Sequence, residues 1–162
     1  MADLTRADVI RIIAFSLNRR AMLRGVDLSE LDLSKLFFAE ANFELANMSA
    51  ANLREADLTK AIMTRANLSY SDLSDSIMTG ATLYEAKLVA ANLRDVDMRD
   101  ADLRLVDLRE ANLRSADLTG ANLWKANMHG AHLTLAELKG AKGLPIDIQK
   151  WLEGGAKPDH LF

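Results

Sequence analysis

Two groups of side chains in this 162-residue sequence have the chemistry of a metal site. His129 and His132 are three residues apart, and imidazole is the commonest metal ligand among side chains. Four aspartates with oxygen ligands of the kind that calcium prefers are also close in sequence: Asp95, Asp97, Asp100 and Asp102. Arginines alternate with these aspartates, and the glycine-rich repeat of calcium-binding β-rolls is absent from the sequence. We therefore predict no metal site and no cofactor.

The sequence also lacks the motifs of common catalytic sites. It has no cysteine, which excludes disulfides, zinc–thiolate sites and thiol nucleophiles. It has no glycine-rich phosphate loop and no nucleophile elbow. The formal net charge of −3 is too small to indicate a nucleic acid partner. We predict that the protein is not an enzyme, has no catalytic residues and does not bind nucleic acid directly.

The apolar residues do not indicate a membrane protein. No apolar run approaches the roughly 20 residues that a membrane-spanning helix needs. The N-terminal segment is interrupted by Asp3, Asp8 and Arg11, and no small-residue cleavage site follows it. We expect a cytoplasmic location without a membrane partner.

The arginines show how the chain is organised, because they recur at every fifth residue: Arg94, Arg99, Arg104, Arg109 and Arg114. From Ala21 to Gly140 the sequence divides into 24 pentads without a break. The third residue is Leu, Met or Phe in every pentad, and the first residue is small in most of them. The second residue is Asp or Asn in 16 of the 24 pentads, which is typical of side chains that bond to local backbone at a corner.

Neither regular backbone can place such a pattern on one surface. Five residues of an α-helix rotate by about 500°, so the third-position residues would scatter around the axis. Five residues of a flat strand reverse the side chain to the opposite face. The pattern gives a continuous core only if the chain turns a corner once per pentad. All five glycines within the array occupy the fifth position, which predicts a positive φ there.

The pattern A(D/N)Lxx, as in residues 51–55 (ANLRE) and 101–105 (ADLRL), resembles the pentapeptide-repeat family. The resemblance covers about three-quarters of the chain. It implies an all-β fold, a right-handed quadrilateral β-helix (a β-solenoid) with four pentads per coil. The 24 pentads would then form about six coils. At about 4.8 Å per coil, the tower would be roughly 29 Å tall.

Both flanks of the array are interpreted as helical caps, because an open solenoid end invites aggregation. In the N-terminal cap, residues 1–20, Thr5 and Asp8 form a helix start signal. Arg19 and Arg20 suit the C-terminus of that helix. Its apolar face is predicted to contain four residues: Val9, Ile10, Ile13 and Leu17.

The repeat domain spans residues 21–140, and residues 141–162 form a C-terminal cap and tail. Pro145 opens a short amphipathic segment that Gly154 and Gly155 close. Four apolar residues of this segment are expected to cover the last coil: Ile146, Ile148, Trp151 and Leu152. Some relatives dimerise through this end, so the resemblance also allows a homodimer here in place of a plain cap.

With four pentads per coil, certain outward residues fall on the same side. We name four of them the aromatic stripe and predict that they bind a partner: Tyr84, Arg104, Leu105 and Trp124. Aromatic residues and arginine are enriched in binding hot spots. The alternative is that they are ordinary scattered surface residues. The five arginines would form a belt around the tower, neutralised by acids such as Asp95, Asp100 and Glu110. The alternative for the belt is a phosphate site.

Three functions remain open at this point. The first is a scaffold whose rigid outer faces bind a protein partner. The second follows from the resemblance, since some family members imitate DNA and bind type II topoisomerases such as gyrase. Residues 21–140 contain 18 acidic and 13 basic residues, a mildly acidic net charge of −5 for such mimicry. The third is a structural module that self-associates through its ends.

Overall fold

The computed structural model describes residues 4–15 and 20–154, and the pentads form its regular part. Each pentad contributes one β-bridge residue at its second position and a turn at its fourth and fifth positions. The bridges are parallel and join residues twenty apart, from Met22↔Asn42 to Asn122↔Lys142. One coil therefore contains four pentads, and the fold is a β-solenoid.

The third residues of the pentads fill the axis of the solenoid. All 24 are buried, and the most accessible of them, Leu138, is 8% exposed. Small first residues such as Ala61 and Ala101 are buried beside them. Near the N-terminal end, Phe38 and Phe43 contact each other edge to face with ring centroids 5.1 Å apart. The apolar period seen in the sequence is thus the period of the core.

The fifth residue of every pentad has the predicted left-handed backbone. Its φ is positive at all 24 positions, including 19 that are not glycine. This conformation lets the N–H of the fifth residue donate to the next coil, as Leu105 N does to Trp124 O at 3.0 Å. The regular hydrogen bonds between coils hold the left-handed residues in place.

The second-position Asp and Asn side chains bond to local backbone, as predicted. All 16 accept a hydrogen bond at Oδ1 from the N–H of the fourth residue in the same pentad, at 2.9–3.4 Å. Some asparagines also bond along the solenoid axis: Asn112 Nδ2 donates to Asn92 Oδ1 at 3.2 Å. These bonds hold the second-position side chains against the backbone of the turn in each pentad.

Helix α1, Arg6–Phe15, lies at the N-terminal end of the core. Thr5 and Asp8 form the predicted start, with Thr5 Oγ1 donating to Asp8 Oδ2 at 2.6 Å. Val9 is buried in the same cluster as the solenoid core. The expected apolar face is wrong at Ile10, which is 43% exposed, whereas Ile12 packs against the core. Leu17 and Arg19 lie outside the described residues.

The predicted role of Arg20 at the end of this helix stays a prediction, because residues 16–19, which follow the described range Arg6–Phe15, lie outside the described residues. Arg20 Nε donates to Glu40 Oε2 at 3.2 Å. The helix is held to the solenoid by Arg6, whose guanidinium donates to the backbone carbonyls of Asp32 and Ser34 at 2.5 and 2.8 Å. The basic anchor of the helix therefore lies at its start.

Helix α2, Ile146–Leu152, follows Pro145 at the other end. Ile148 is buried in the solenoid core cluster and Trp151 is partly buried against it. The predicted coverage is wrong for Ile146 and Leu152, which are 66% and 50% exposed. A seven-residue helix has fewer than two full turns, so only one narrow face can reach the core. Neither helix of the described residues is long and apolar enough to cross a membrane.

Candidate functional site

The four residues of the aromatic stripe lie on one side of the solenoid. The bridges Thr82↔Asp102 and Asp102↔Asn122 stack their three pentads directly on one another. Trp124 is 50% exposed, Arg104 is also exposed, and Tyr84 and Leu105 are half-buried. The structure thus brings the predicted residues together on an accessible surface.

Arg104 forms the centre of the stripe. Its guanidinium carbon lies 5.4 Å from the centroid of the Tyr84 ring, within the range of a cation–π contact. Asp102 fixes the guanidinium from the other side, accepting bonds from Nε and from the terminal nitrogen Nη2, both at 2.7 Å. These charge-assisted bonds lower the pKa of the Asp102 carboxyl. The cation is therefore held in one orientation over the aromatic ring.

Tyr84 is held in turn by Glu85 of its own pentad, which is bound from the coil below by Arg65. Its hydroxyl is hydrogen-bonded to the neighbouring Glu85, which raises the pKa of the Tyr84 hydroxyl. Arg65 Nε donates to Glu85 Oε2 at 2.6 Å, and this bond is the main cause of the lowered pKa of Glu85. A chain of polar contacts thus runs from Arg65 to Asp102 along one side, and it restricts the side chains before any partner arrives.

The upper end of the stripe contains a residue that the sequence interpretation missed. The Lys125 ammonium lies 4.3 Å from the centroid of the Trp124 ring. Lys125 occupies the fifth position of the same side, in the column that contains Leu105. Extending that column by one coil would have included it. Leu45, two coils below Glu85 in this column, is 48% exposed and adds an apolar contact surface.

Four of the five belt arginines pair with a carboxylate among the described residues, and two of them, Arg99 and Arg109, have partners other than those expected. Arg99, Arg104 and Arg109 each pair with the aspartate two residues earlier in the same pentad, at 2.7–2.8 Å. Asp100 and Glu110 were therefore the wrong partners, whereas Arg94 does pair with Asp95, at 2.9 Å. The turn places the second and fourth side chains next to each other. Arg114, whose pentad has Asn112 in place of aspartate, forms no such pair among the described residues.

The histidines and aspartates do not converge. His129 and His132 occupy pentads that turn onto different sides of the coil. In residues 4–15 and 20–154, no group of three or more His, Cys, Asp or Glu side chains is placed to hold a metal ion. Three aspartates of the acidic run, Asp95, Asp97 and Asp102, are bound by arginines instead. His160 lies outside the described residues.

The sequence matches the family described as pentapeptide repeats, with eight copies between residues 21 and 142. The matched segments are 21–59, 41–80, 76–114, 86–124 and 111–142. This chain belongs to the pentapeptide-repeat family. The resemblance drawn from the A(D/N)Lxx pattern is thereby confirmed.

Solved structures of other pentapeptide-repeat proteins are similar at low sequence identity. A protein of the Arabidopsis thaliana thylakoid lumen is 24% identical, with 85% of this chain and 83% of that chain covered and a TM-score of 0.46. HetL, described as involved in heterocyst differentiation regulation in Nostoc, is 22% identical over 88% of this chain and 95% of its own, with a TM-score of 0.34. Trypsin-treated QnrB1, a plasmid-mediated fluoroquinolone resistance protein, is 18% identical over 74% of this chain and 66% of its own, with a TM-score of 0.42. No curated protein sequence matches this chain.

Proposed function

We propose that this pentapeptide-repeat protein is a non-enzymatic scaffold whose aromatic stripe binds a protein partner. The observation that carries the proposal is the clamped Arg104 guanidinium over Tyr84, with Trp124 half-exposed on the same side. Binding hot spots are enriched in tyrosine, tryptophan and arginine. A repeat family and a regular outer surface support a binding role over a catalytic one.

Rigidity strengthens the case for this face. The Asp102 and Glu85 contacts hold Arg104 and Tyr84 before binding, so a partner need not order these side chains. The charge also distinguishes this side. Its pentads carry four cations, Arg24, Arg65, Arg104 and Lys125, and three carboxylates, Glu44, Glu85 and Asp102. The repeat as a whole is net negative, so this side is the one suited to an acidic patch on a protein partner.

Site-specific photocrosslinking in the native host tests the proposal. Leu105→p-benzoylphenylalanine places the probe in the stripe, and Leu135→p-benzoylphenylalanine is the matched control. Both leucines occupy the fifth position at φ values of 58° and 63°, but they face different sides. We expect a partner adduct from position 105 that position 135 does not give. An identical set of adducts from both positions would contradict a dedicated face.

Affinity measurements with the crosslinked partner then test the residues. Tyr84→Ala combined with Trp124→Ala should weaken binding by more than about 2 kcal/mol if both are hot spots. Tyr70→Ala is the control, because Tyr70 is 70% exposed on the adjacent side. Circular dichroism should show the fold retained in each variant, since these side chains lie outside the core. Wild-type affinity in the folded double variant would refute the stripe.

We place DNA mimicry second. A surface that imitates the DNA backbone needs rows of unpaired carboxylates. Instead, Asp97, Asp102 and Asp107 are each bound by an arginine of their own pentad. Adding the protein to a gyrase supercoiling assay with and without a quinolone tests this function. Protection of the topoisomerase would place mimicry first.

We further propose six right-handed coils with α1 and α2 as end caps, supported by the burial of Val9 and Ile148 in the solenoid core. Self-association through the C-terminal end is the third function. Leu135 and Leu152 support it, because they are 71% and 50% exposed near that end. Light scattering of the wild type and of Leu135→Ser with Leu152→Ser tests for a dimer that the double variant loses.

A further inference from the structure

Arg114 differs from every other arginine that the structure describes. Ten of the eleven arginines within residues 4–15 and 20–154 have a carboxylate oxygen within 4.0 Å of a guanidinium nitrogen. Arg114 is the exception in this part of the chain. Its pentad supplies Asn112, whose Oδ1 accepts from the Arg114 backbone N–H at 3.3 Å but carries no charge. Among the described arginines, Arg114 is therefore the one guanidinium that no carboxylate neutralises.

A second arginine lies one coil away on the same side. Arg94 precedes Arg114 by twenty residues, and the bridge Asn92↔Asn112 stacks their pentads. Asn92 again stands where other pentads have aspartate, so Arg94 turns to Asp95 at 2.9 Å. Adjacent coils are about 4.8 Å apart, which lets both guanidinium groups contact one small anion.

These arginines line an open depression together with Asn112, His132 and Thr134. His132 stands at the end of an axial column in which Asn112 Nδ2 donates to Asn92 Oδ1 at 3.2 Å. An asparagine at 132 could continue that column, but the imidazole cannot reproduce an amide. The hydroxyl of Thr134 and the ring of His132 add polar hydrogen-bonding groups beside the two guanidinium groups.

We propose that the depression formed by Arg94, Arg114, His132 and Thr134 binds a phosphoryl group. The planar guanidinium fork matches two oxygens of a phosphate, and two forks with a hydroxyl can surround a tetrahedral anion. Asp95 offsets only one of the two positive charges. This site is on a different side of the coil from the aromatic stripe, so it stands independently of the proposed partner face.

Titration of the full chain with inorganic phosphate, followed by NMR, tests the proposal. Acetate and chloride at the same ionic strength are the comparison anions. We expect a saturable change in the His132 ring and Arg114 Nε signals with phosphate at millimolar concentration. Acetate and chloride should give only small, unsaturated changes. An equal saturable response to acetate, or no saturation with phosphate, would overturn the phosphoryl assignment.

Two variants and one control locate the site. Arg114→Gln should weaken phosphate binding at least tenfold, and His132→Asn should weaken it severalfold while leaving the fold intact. Arg54→Gln is the control: Arg54 has the same position on the same side, but Asp75 holds it at 2.7 Å. Its affinity for phosphate should stay within twofold of wild type. Wild-type affinity in folded Arg114→Gln, or an equal loss in Arg54→Gln, would overturn the site.

A final arm separates two sources of the phosphoryl group. Adenosine monophosphate and an O-phosphoserine peptide are titrated under the same conditions. The peptide has no net charge apart from its phosphate. Tighter binding of either one than of inorganic phosphate supports the site and identifies whether a nucleotide or a phosphorylated protein supplies its ligand. Binding of neither would overturn the proposal.

Discussion

Replacing Gly143 by alanine tests how the C-terminal segment is held on the last coil. Gly143 has a φ of +67°, and a Cβ added there would lie 2.5 Å from Trp124 Cα and 2.6 Å from Trp124 N. These are backbone atoms that no side-chain rotation can move away. Residues 142–144 must therefore lift from the coil that carries Trp124. Gly25→Ala is the matched control, because Gly25 has a φ of +65° and an added Cβ there would meet nothing within 4 Å.

The two substitutions share the cost of the left-handed backbone and differ in the clash. Alanine at a positive φ costs roughly 1 kcal/mol, which is the whole effect expected for Gly25→Ala. In Gly143→Ala, lifting the segment also strains two backbone hydrogen bonds, Leu123 N to Lys142 O at 2.7 Å and Lys142 N to Ala121 O at 2.8 Å. Each contributes about 1 kcal/mol. Partial exposure of the buried Ile148 adds about 1 kcal/mol, for a total of roughly 4 kcal/mol.

Hydrogen exchange measured by mass spectrometry separates these outcomes. A solenoid is stabilised mainly between neighbouring repeats, so the loss should be local to the end of the chain. We expect peptides covering residues 141–153 to exchange much faster in Gly143→Ala and to be unchanged in Gly25→Ala. Equal protection of these peptides in both variants would show that the segment is not seated on the Trp124 backbone.

The remaining predictions concern the core and the acidic clamps. Leu103 is fully buried, so Leu103→Ala should lower the free energy of unfolding by about 2–5 kcal/mol, whereas the exposed control Lys87→Ala should change it by less than about 0.5 kcal/mol in urea denaturation. Similar urea midpoints for Leu103→Ala and Lys87→Ala would disprove that the third residue of each pentad points into the core. The bonds from Arg99, Arg104 and Arg109 lower the pKa values of Asp97, Asp102 and Asp107. These bonds therefore stabilise the folded protein fully above the ordinary aspartate pKa of about 3.9, and this stabilisation is lost as the pH falls through the lowered pKa values. Replacing these three aspartates by Asn keeps an Oδ1 acceptor and should flatten the fall of the melting temperature below about pH 4, and an unchanged acid profile would contradict this role.

The fold could be predicted from the sequence because each pentad repeats the same local rule. Leu103 and its equivalents fall on one axis only if the chain turns every five residues. Gly80 and Gly120 mark the left-handed corner, because glycine within the array is confined to the fifth position, where φ is positive. The helices at the ends have no such repetition. Ile10 and Ile146 are apolar but exposed, because a short helix with apolar residues on several faces does not specify which face packs.

The candidate site was predictable in its placement and not in its contacts. The twenty-residue spacing placed Tyr84, Arg104 and Trp124 on one side. It did not show that Lys125 would lie over Trp124, since that depends on side-chain torsions. The partners of the belt arginines were also missed, because the turn brings the second and fourth side chains of one pentad together. Once that rule is known, the sequence shows that the pentad of Arg114 contains no carboxylate, but the structure was needed to show that no carboxylate of a neighbouring coil pairs with Arg114 among the described residues.

The most direct test of the scaffold account is the affinity of two single-pentad deletions for the crosslinked partner. Deleting residues 106–110 rotates Trp124 by one side relative to Tyr84 and Arg104, because each coil contains four pentads. Deleting residues 46–50 removes a pentad from the same side of the solenoid as residues 106–110. Because residues 46–50 precede the whole aromatic stripe, its four residues stay stacked on one another. With both proteins shown to be folded by circular dichroism, the account predicts near wild-type binding after deletion of 46–50 and a loss of at least tenfold after deletion of 106–110. Equal affinity of the two deletions would contradict the claim that one continuous face binds the partner.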